Sequence, residues 1–270
     1  AARQGHALAQ FALAVCYEQG QGVERDDVQV ALWYGKAARQ GHAAAQYGLG
    51  YCYAQGKGVE QDQAEAAKWY LEAACQGDAD AQFTLAECYY SGQGVEQDDT
   101  EAVRWYTEAA WQGDAAAQYC LGVCYRRGIG VEIDDVQAVK WYTKAARQGN
   151  ANAQFSLGYC LEKGEGTEQD EEEAVKWYRK AAAQGHVDAQ FNLGVCYKNG
   201  RGVDLDYGQA VKWYGKAAAQ GDPNAQYMMG VMYLKALGVS QDVPEAVEWF
   251  TQAARQGNEK AQDVLRRLGY

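Results

Sequence analysis

The sequence predicts an all-α fold, a solenoid of stacked helix-turn-helix units, and three observations carry that prediction. The first is a period. Tryptophan falls at Trp33, Trp69, Trp105, Trp141, Trp177, Trp213 and Trp249, each 36 residues after the last. Gln10, Gln46, Gln82 and their successors to Gln262 keep the same step, as do Asp26, Asp62, Asp98, Asp134, Asp170, Asp206 and Asp242. The second is a pair of helical stripes inside each unit. The third is the punctuation between them, and no insertion breaks the register anywhere in the 270 residues.

The first helix of a unit is expected from Ala7 to Gln19, with Phe11, Leu13, Ala14, Cys16 and Tyr17 on one face. The second is expected from Asp27 to Arg39, where Val30, Trp33, Tyr34, Ala37 and Ala38 follow the i, i+3, i+4, i+7 spacing. Gly20 and its equivalents Gly56, Gly92, Gly128, Gly164 and Gly200 suit the left-handed residue that closes a helix. The recurrent Asp then caps the second helix, and Gln or Glu three residues on completes a capping-box spacing, as in Asp62 and Glu65. Gly5, Gly41 and Gly77 end the second helices. A single helix pair cannot bury its apolar stripe, so neighbouring pairs must stack.

These units resemble the Sel1-like repeat, a relative of the tetratricopeptide repeat. The pattern is A-x-A-Q-[FY]-x-L-G-x-C-Y-x-x-G-x-G-V-x-x-D-x-x-x-A-V-K-W-Y-x-K-A-A-x-Q-G, and Ala153 to Gly185 carries it with Leu161 and Thr167 as departures. The resemblance covers essentially the whole chain and implies a right-handed α/α solenoid. Seven units are expected near residues 6–41, 42–77, 78–113, 114–149, 150–185, 186–221 and 222–257, followed by a capping helix over 258–270. Asp263, Arg266 and Arg267 make that last helix polar, as a natural end requires. Residues 1–5 read as the remnant of a preceding repeat, cut within its second helix.

Composition narrows the function. Lys and Arg total 25 against 36 Asp and Glu, a net charge of −11, which opposes capture of nucleic acid or an anionic membrane. No apolar run reaches the ~18 residues of a membrane span. Ser91, Ser156 and Ser240 are the only serines and none opens a Ser-x-x-Lys motif, which argues against the penicillin-binding chemistry attributed to some cysteine-rich relatives. His6, His42 and His186 share a position that other units fill with Asp or Asn, so they read as helix caps rather than ligands.

Six of the eight cysteines, from Cys16 to Cys196, share one first-helix position, with Met232 in the seventh. Equivalent helices lie about 10 Å apart, beyond the ~7 Å Cα limit of a disulfide, so these are expected to be reduced core thiols. That favours a reducing, cytoplasmic compartment, with a periplasmic or secreted location as the alternative if a leader was removed. Cys120 and Cys124 lie one turn apart but lack further ligands, and the G-x-G-V loop lacks the Lys-Ser/Thr of a nucleotide loop. No catalytic residue, metal or cofactor is expected.

Positions that vary between units are those the scaffold does not dictate. The tetratricopeptide likeness implies that first helices line a concave surface. There the candidate partner-binding residues are Tyr51, Glu87, Tyr90, Arg126, Arg127, Tyr159 and Lys198, with Glu18 and Glu162 among the other variable positions. Trp111, off the tryptophan period, is a candidate surface contact. The expected function is a non-catalytic scaffold for a protein or peptide, with basic segments favoured by the acidic balance. A glycan-binding scaffold is the alternative, using Tyr51, Tyr90 and Tyr159 to stack on sugars. The array is expected to be a monomer or to associate weakly head to tail.

Overall fold

The computed structural model describes residue 2 and residues 5–270; Ala1, Arg3 and Gln4, part of the expected remnant, lie outside the described residues. The described residues form fifteen α-helices and no strand. First helices of the repeats are α1 (Ala7–Gln19), α3 (Ala43–Gln55), α5 (Ala79–Ser91), α7 (Ala115–Arg127), α9 (Ala151–Lys163), α11 (Val187–Asn199) and α13 (Pro223–Leu234). Second helices are α2 (Asp27–Ala38), α4 (Gln63–Cys75), α6 (Asp99–Trp111), α8 (Asp135–Arg147), α10 (Glu171–Ala183), α12 (Tyr207–Ala219) and α14 (Val243–Arg255), and α15 (Glu259–Leu268) follows them. The helices group into two units, Ala1–Asp134 and Asp135–Tyr270. Within each, every helix packs on its neighbours in sequence.

The caps form, but the reciprocal half of the capping box does not. Asp62 Oδ1 accepts from the Glu65 amide at 2.9 Å, and Asp170 and Asp206 repeat the bond to Glu173 and Gln209. The Asp amide that a Glu side chain would reach is already committed. Asp62 N–H donates to the Tyr53 carbonyl, and Asp98, Asp170, Asp206 and Asp242 bond Tyr89, Leu161, Tyr197 and Tyr233 in the same way. The bond closes the loop between the two helices. Freed of that role, Glu65, Glu101 and Glu173 pair with Lys68, Arg104 and Lys176. Gln29 and Glu245 accept from the indoles of Trp33 and Trp249.

Buried alanines let the helices approach, and the second-helix tyrosines fill the space between them. Tyr34, Tyr70, Tyr106, Tyr142, Tyr178 and Tyr214 are buried, and Phe250 takes the last place. Each ring crosses its first helix where the side chain is smallest. A Cβ on Gly158 would lie 2.8 Å from the Tyr178 ring, and one on Gly194 would lie 2.7 Å from that of Tyr214. The first-helix aromatics pack beside them, Phe155 to Tyr178 at 5.9 Å and Phe191 to Tyr214 at 5.6 Å between centroids.

The second glycine of each G-x-G loop joins repeats. Gly94 has φ +77°, and a Cβ there would stand 2.1 Å from the Gln63 carbonyl oxygen, at the start of the preceding second helix. Gly130 and Gly202 meet Asp99 and Glu171 in the same way, whereas Gly22 has nothing within 4 Å. Gly94→Ala is therefore expected to cost about 3 kcal/mol or more, combining left-handed strain with overlap. Gly22→Ala, which pays only the strain, should cost about 1–2 kcal/mol. Urea melts of the two variants check this; equal losses would refute the close approach.

The first glycine has one substitute. Ala236 stands at that position with φ 55°, the only non-glycine at positive φ among the described residues. Ala236→Gly is expected to raise stability by about 1 kcal/mol, measured in the same melts.

Candidate binding face

Three of the seven predicted residues meet in one place. Glu87 and Tyr90 of α5 and Arg127 of α7 line a cavity of about 260 Å³, with Tyr106 of α6 and Tyr119, Cys120, Val123 and Cys124 of α7 as further walls. Ile129, the middle residue of a G-x-G loop, lines it as well. Glu87 is exposed and accepts a hydrogen bond from the Tyr106 hydroxyl. Burial, and then this bond, push the Tyr106 phenol well above its ordinary range, so it stays a donor. Tyr90 is 41% exposed. Burial pushes the Cys120 thiol up to about 12 and that of Cys124 up to about 11, so neither is a ready thiolate.

The other predicted residues lie apart from this cavity. Tyr51 is 38% exposed on α3, with the Lys57 ammonium 4.8 Å from its ring centre. Arg126, Tyr159 and Lys198 are half-buried on α7, α9 and α11. Trp111, at the end of α6, is 68% exposed.

Glu162 is no open contact: it is buried on α9. Its carboxylate accepts from the Tyr178 hydroxyl at 2.8 Å, pairs with Lys163 at 3.2 Å and meets Arg201 at 2.9 Å. Tyr34 makes the equivalent bond to Glu18 at 2.8 Å. The apolar stripe presents the second-helix tyrosines as core alone, yet the hydroxyls of Tyr34, Tyr106 and Tyr178 reach carboxylates of the first helices. The signal was available, because a buried phenol needs an acceptor and Glu18, Glu87 and Glu162 stand within one turn of one register position.

Two of the three histidines cap their helices, as their position predicts. Nδ1 of His42 and of His186 accepts from the amides of Ala45 and Ala189, and both rings stack on the preceding repeat's Phe, at 4.6 Å on Phe11 and 4.7 Å on Phe155. His6 holds the N-cap place without a side-chain cap bond. Among the described residues no group of His, Cys, Asp and Glu is arranged to hold a metal ion. No helix among the described residues is long and apolar enough to cross a membrane.

The Sel1 repeat family profile matches seven consecutive stretches, residues 7–42, 43–78, 79–114, 115–150, 151–186, 187–222 and 223–258. The chain belongs to the Sel1 repeat family. Among solved structures it is similar to c5321, a protective antigen present in uropathogenic Escherichia coli strains that displays this repeat fold. The two are 38% identical with a TM-score of 0.94, over 99% of this chain and 57% of that one. The present chain thus spans little more than half of that relative. A Sel1 repeat protein from Oxalobacter formigenes is 36% identical with a TM-score of 0.78, over 99% of this chain and 77% of that one. No curated protein matches the sequence.

Within this Sel1 array, Glu162 makes a test of the tyrosine–carboxylate pairs. Burial alone would raise its pKa, but the Tyr178 bond, Lys163 and Arg201 outweigh that and hold it below its ordinary value. A depressed carboxyl stabilises the fold above its unfolded pKa, near ~4.3, and that stability is lost as pH falls through the folded value. At pH 7, Glu162→Gln is expected to cost about 1–3 kcal/mol. The gap between the two proteins should close in acid, as followed by thermal melts from neutral pH downwards.

Proposed function

We propose that this Sel1 repeat array is a non-catalytic scaffold that holds a protein or peptide segment on the face carried by its first helices. Repeat solenoids of this kind are typical protein-interaction scaffolds, and the family is generally non-catalytic. The observation that carries the reading is the cavity of α5, α6 and α7. Its volume suits a single anchoring side chain. Its walls offer aromatic rings for the body of that side chain, and Glu87 and Arg127 at the polar end. The carboxylate of Glu87, in a chain of net charge −11, favours an anchor with a cationic tip. In this reading the scaffold works in a reducing compartment, since the recurrent cysteine of six repeats serves as a small packing residue.

The test is capture of partners from a lysate by the intact array and by a Glu87→Gln, Tyr90→Ala, Arg127→Ala variant, both first matched for helicity by circular dichroism. A protein retained by the intact array and lost by the variant is the expected outcome, with retention weakening as salt rises. Equal retention by both would remove the cavity from the function. Leu8→Ala, at an exposed site on α1 outside the cavity, serves as the control and should retain the same protein.

A further inference from the structure

Three of the second-helix tyrosine hydroxyls, those of Tyr34, Tyr106 and Tyr178, are matched by first-helix carboxylates. Tyr34 donates to Glu18, Tyr106 to Glu87 and Tyr178 to Glu162. Glu18 and Glu162 stand 16 residues before their tyrosines, and Glu87 stands 19 before its own. At Phe250 the hydroxyl is gone, and the residues at those two positions, Leu234 and Val231, are apolar and packed against the ring's cluster. Donor and acceptor vanish together. At Tyr214 only the acceptor has vanished. The equivalent positions are Lys198 and Val195, and the Tyr214 hydroxyl is buried with no hydrogen-bond partner.

A second orphan donor lies nearby. Arg201 gives Nη1 to Glu162 at 2.9 Å, while its Nε is buried without a partner. The Glu162 carboxylate is itself spent on Tyr178, Lys163 and Arg201, so it does not answer Tyr214. Two buried donors, one O–H and one N–H, lack an acceptor, and a lysine holds the register position that Glu162 holds one repeat earlier. Leaving such donors unmet costs stability, so the arrangement favours a ligand that supplies the acceptor.

We propose that Tyr214, Arg201 and Lys198 form a subsite for a carboxylate of the bound segment, whose oxygens take the place that Glu162 holds beneath Tyr178. The inference rests on the scaffold reading and adds the chemistry of its partner: an acidic group at α11 and α12. The carboxylate accepts from the Tyr214 hydroxyl and Arg201 Nε and is neutralised by the Lys198 ammonium. The hydroxyl is buried in the unliganded protein, so entry of the carboxylate requires the side chains over it to move. An aspartate or glutamate side chain and a chain-terminal carboxylate share this chemistry.

The test uses the full chain with labelled tyrosine, reading the Tyr214 ring resonance assigned through Tyr214→Phe. The probes are N-acetylglutamate α-amide, N-acetylglycine and, as neutral control, N-acetylglutamine amide. The expected result is a saturable shift with one or both carboxylates and none with the control; the tighter of the two identifies side chain or chain end as the source. Lys198→Gln should weaken that binding about tenfold, the loss of one charge-assisted hydrogen bond. Lys198→Glu supplies the missing carboxylate from within, so it should abolish probe binding and raise Tm.

No saturable shift with either carboxylate would overturn the proposal, as would the same shift with chloride at equal ionic strength. A clear fall in Tm for Tyr214→Phe would also overturn it, because the hydroxyl would then already have its partner. If the probes fail while the Glu87–Tyr90–Arg127 variant still loses its protein, the subsite falls and the scaffold stands. If they succeed while that variant loses nothing, the cavity reading falls instead.

Discussion

A helix that ends inside a stack leaves carbonyls facing another helix rather than water, and each of them needs a donor. In this array one buried glutamine per repeat supplies it. Gln82 of α5 donates to the Ala74 carbonyl at the end of α4, 3.2 Å away, and accepts at 2.7 Å from Gln112, which follows α6. Gln112 also donates to the Gly77 carbonyl at 2.9 Å. The end of one repeat, the first helix of the next and that next repeat's own end are thus held by two side chains. Gln154 with Gln184, and Gln190 with Gln220, repeat the arrangement in the second unit. An amide is the side chain that can donate and accept at once without carrying charge into the interior. The same pair of glutamines recurs at the same 30-residue separation in successive repeats, in step with the unbroken 36-residue period.

The period, the helix pairs and the caps were legible because each is a local rule repeated in register. α1 and the inner first helices fall where the apolar spacing puts them, and the Asp caps follow the cap preference. What escaped the sequence reading depends on partners distant in the chain. The capping box looked complete from Asp62 and Glu65, but the Asp62 amide is claimed by Tyr53, nine residues back. The G-x-G-V loop shows in sequence only that it lacks a nucleotide-loop motif, whereas the reason for its second glycine is the carbonyl of Gln63 beneath Gly94. The recurrent glutamines were visible as a pattern, and their role was not, since the pattern shows no acceptor.

The candidate site was legible in part for a similar reason. Variation between repeats pointed to Glu87, Tyr90 and Arg127, which converge on the cavity, and equally to Glu162, which is buried. Variation marks a position the stack does not dictate. It cannot tell an open contact from a private bond, because both differ from repeat to repeat. The distinction is made by the second-helix tyrosine beneath: Tyr178, with Lys163 and Arg201, encloses the Glu162 carboxylate, whereas Glu87 stays exposed while accepting from Tyr106.

That tyrosine is what lets one scaffold carry different surfaces. Its ring is fixed by the small first-helix residue it crosses, Gly158 or Gly194, and belongs to the stack. Its hydroxyl emerges at the positions where the repeats diverge, and there it can be met by a glutamate, as at Tyr34, or dispensed with altogether, as at Phe250. The ring term is the same in every repeat, so these exchanges leave the helix packing in place while changing the charge and donors on the face. A repeat can therefore be retuned one residue at a time. A glutamate removed from beneath a tyrosine weakens its own repeat by one hydrogen bond and, by the same change, leaves a preformed donor for something outside the chain.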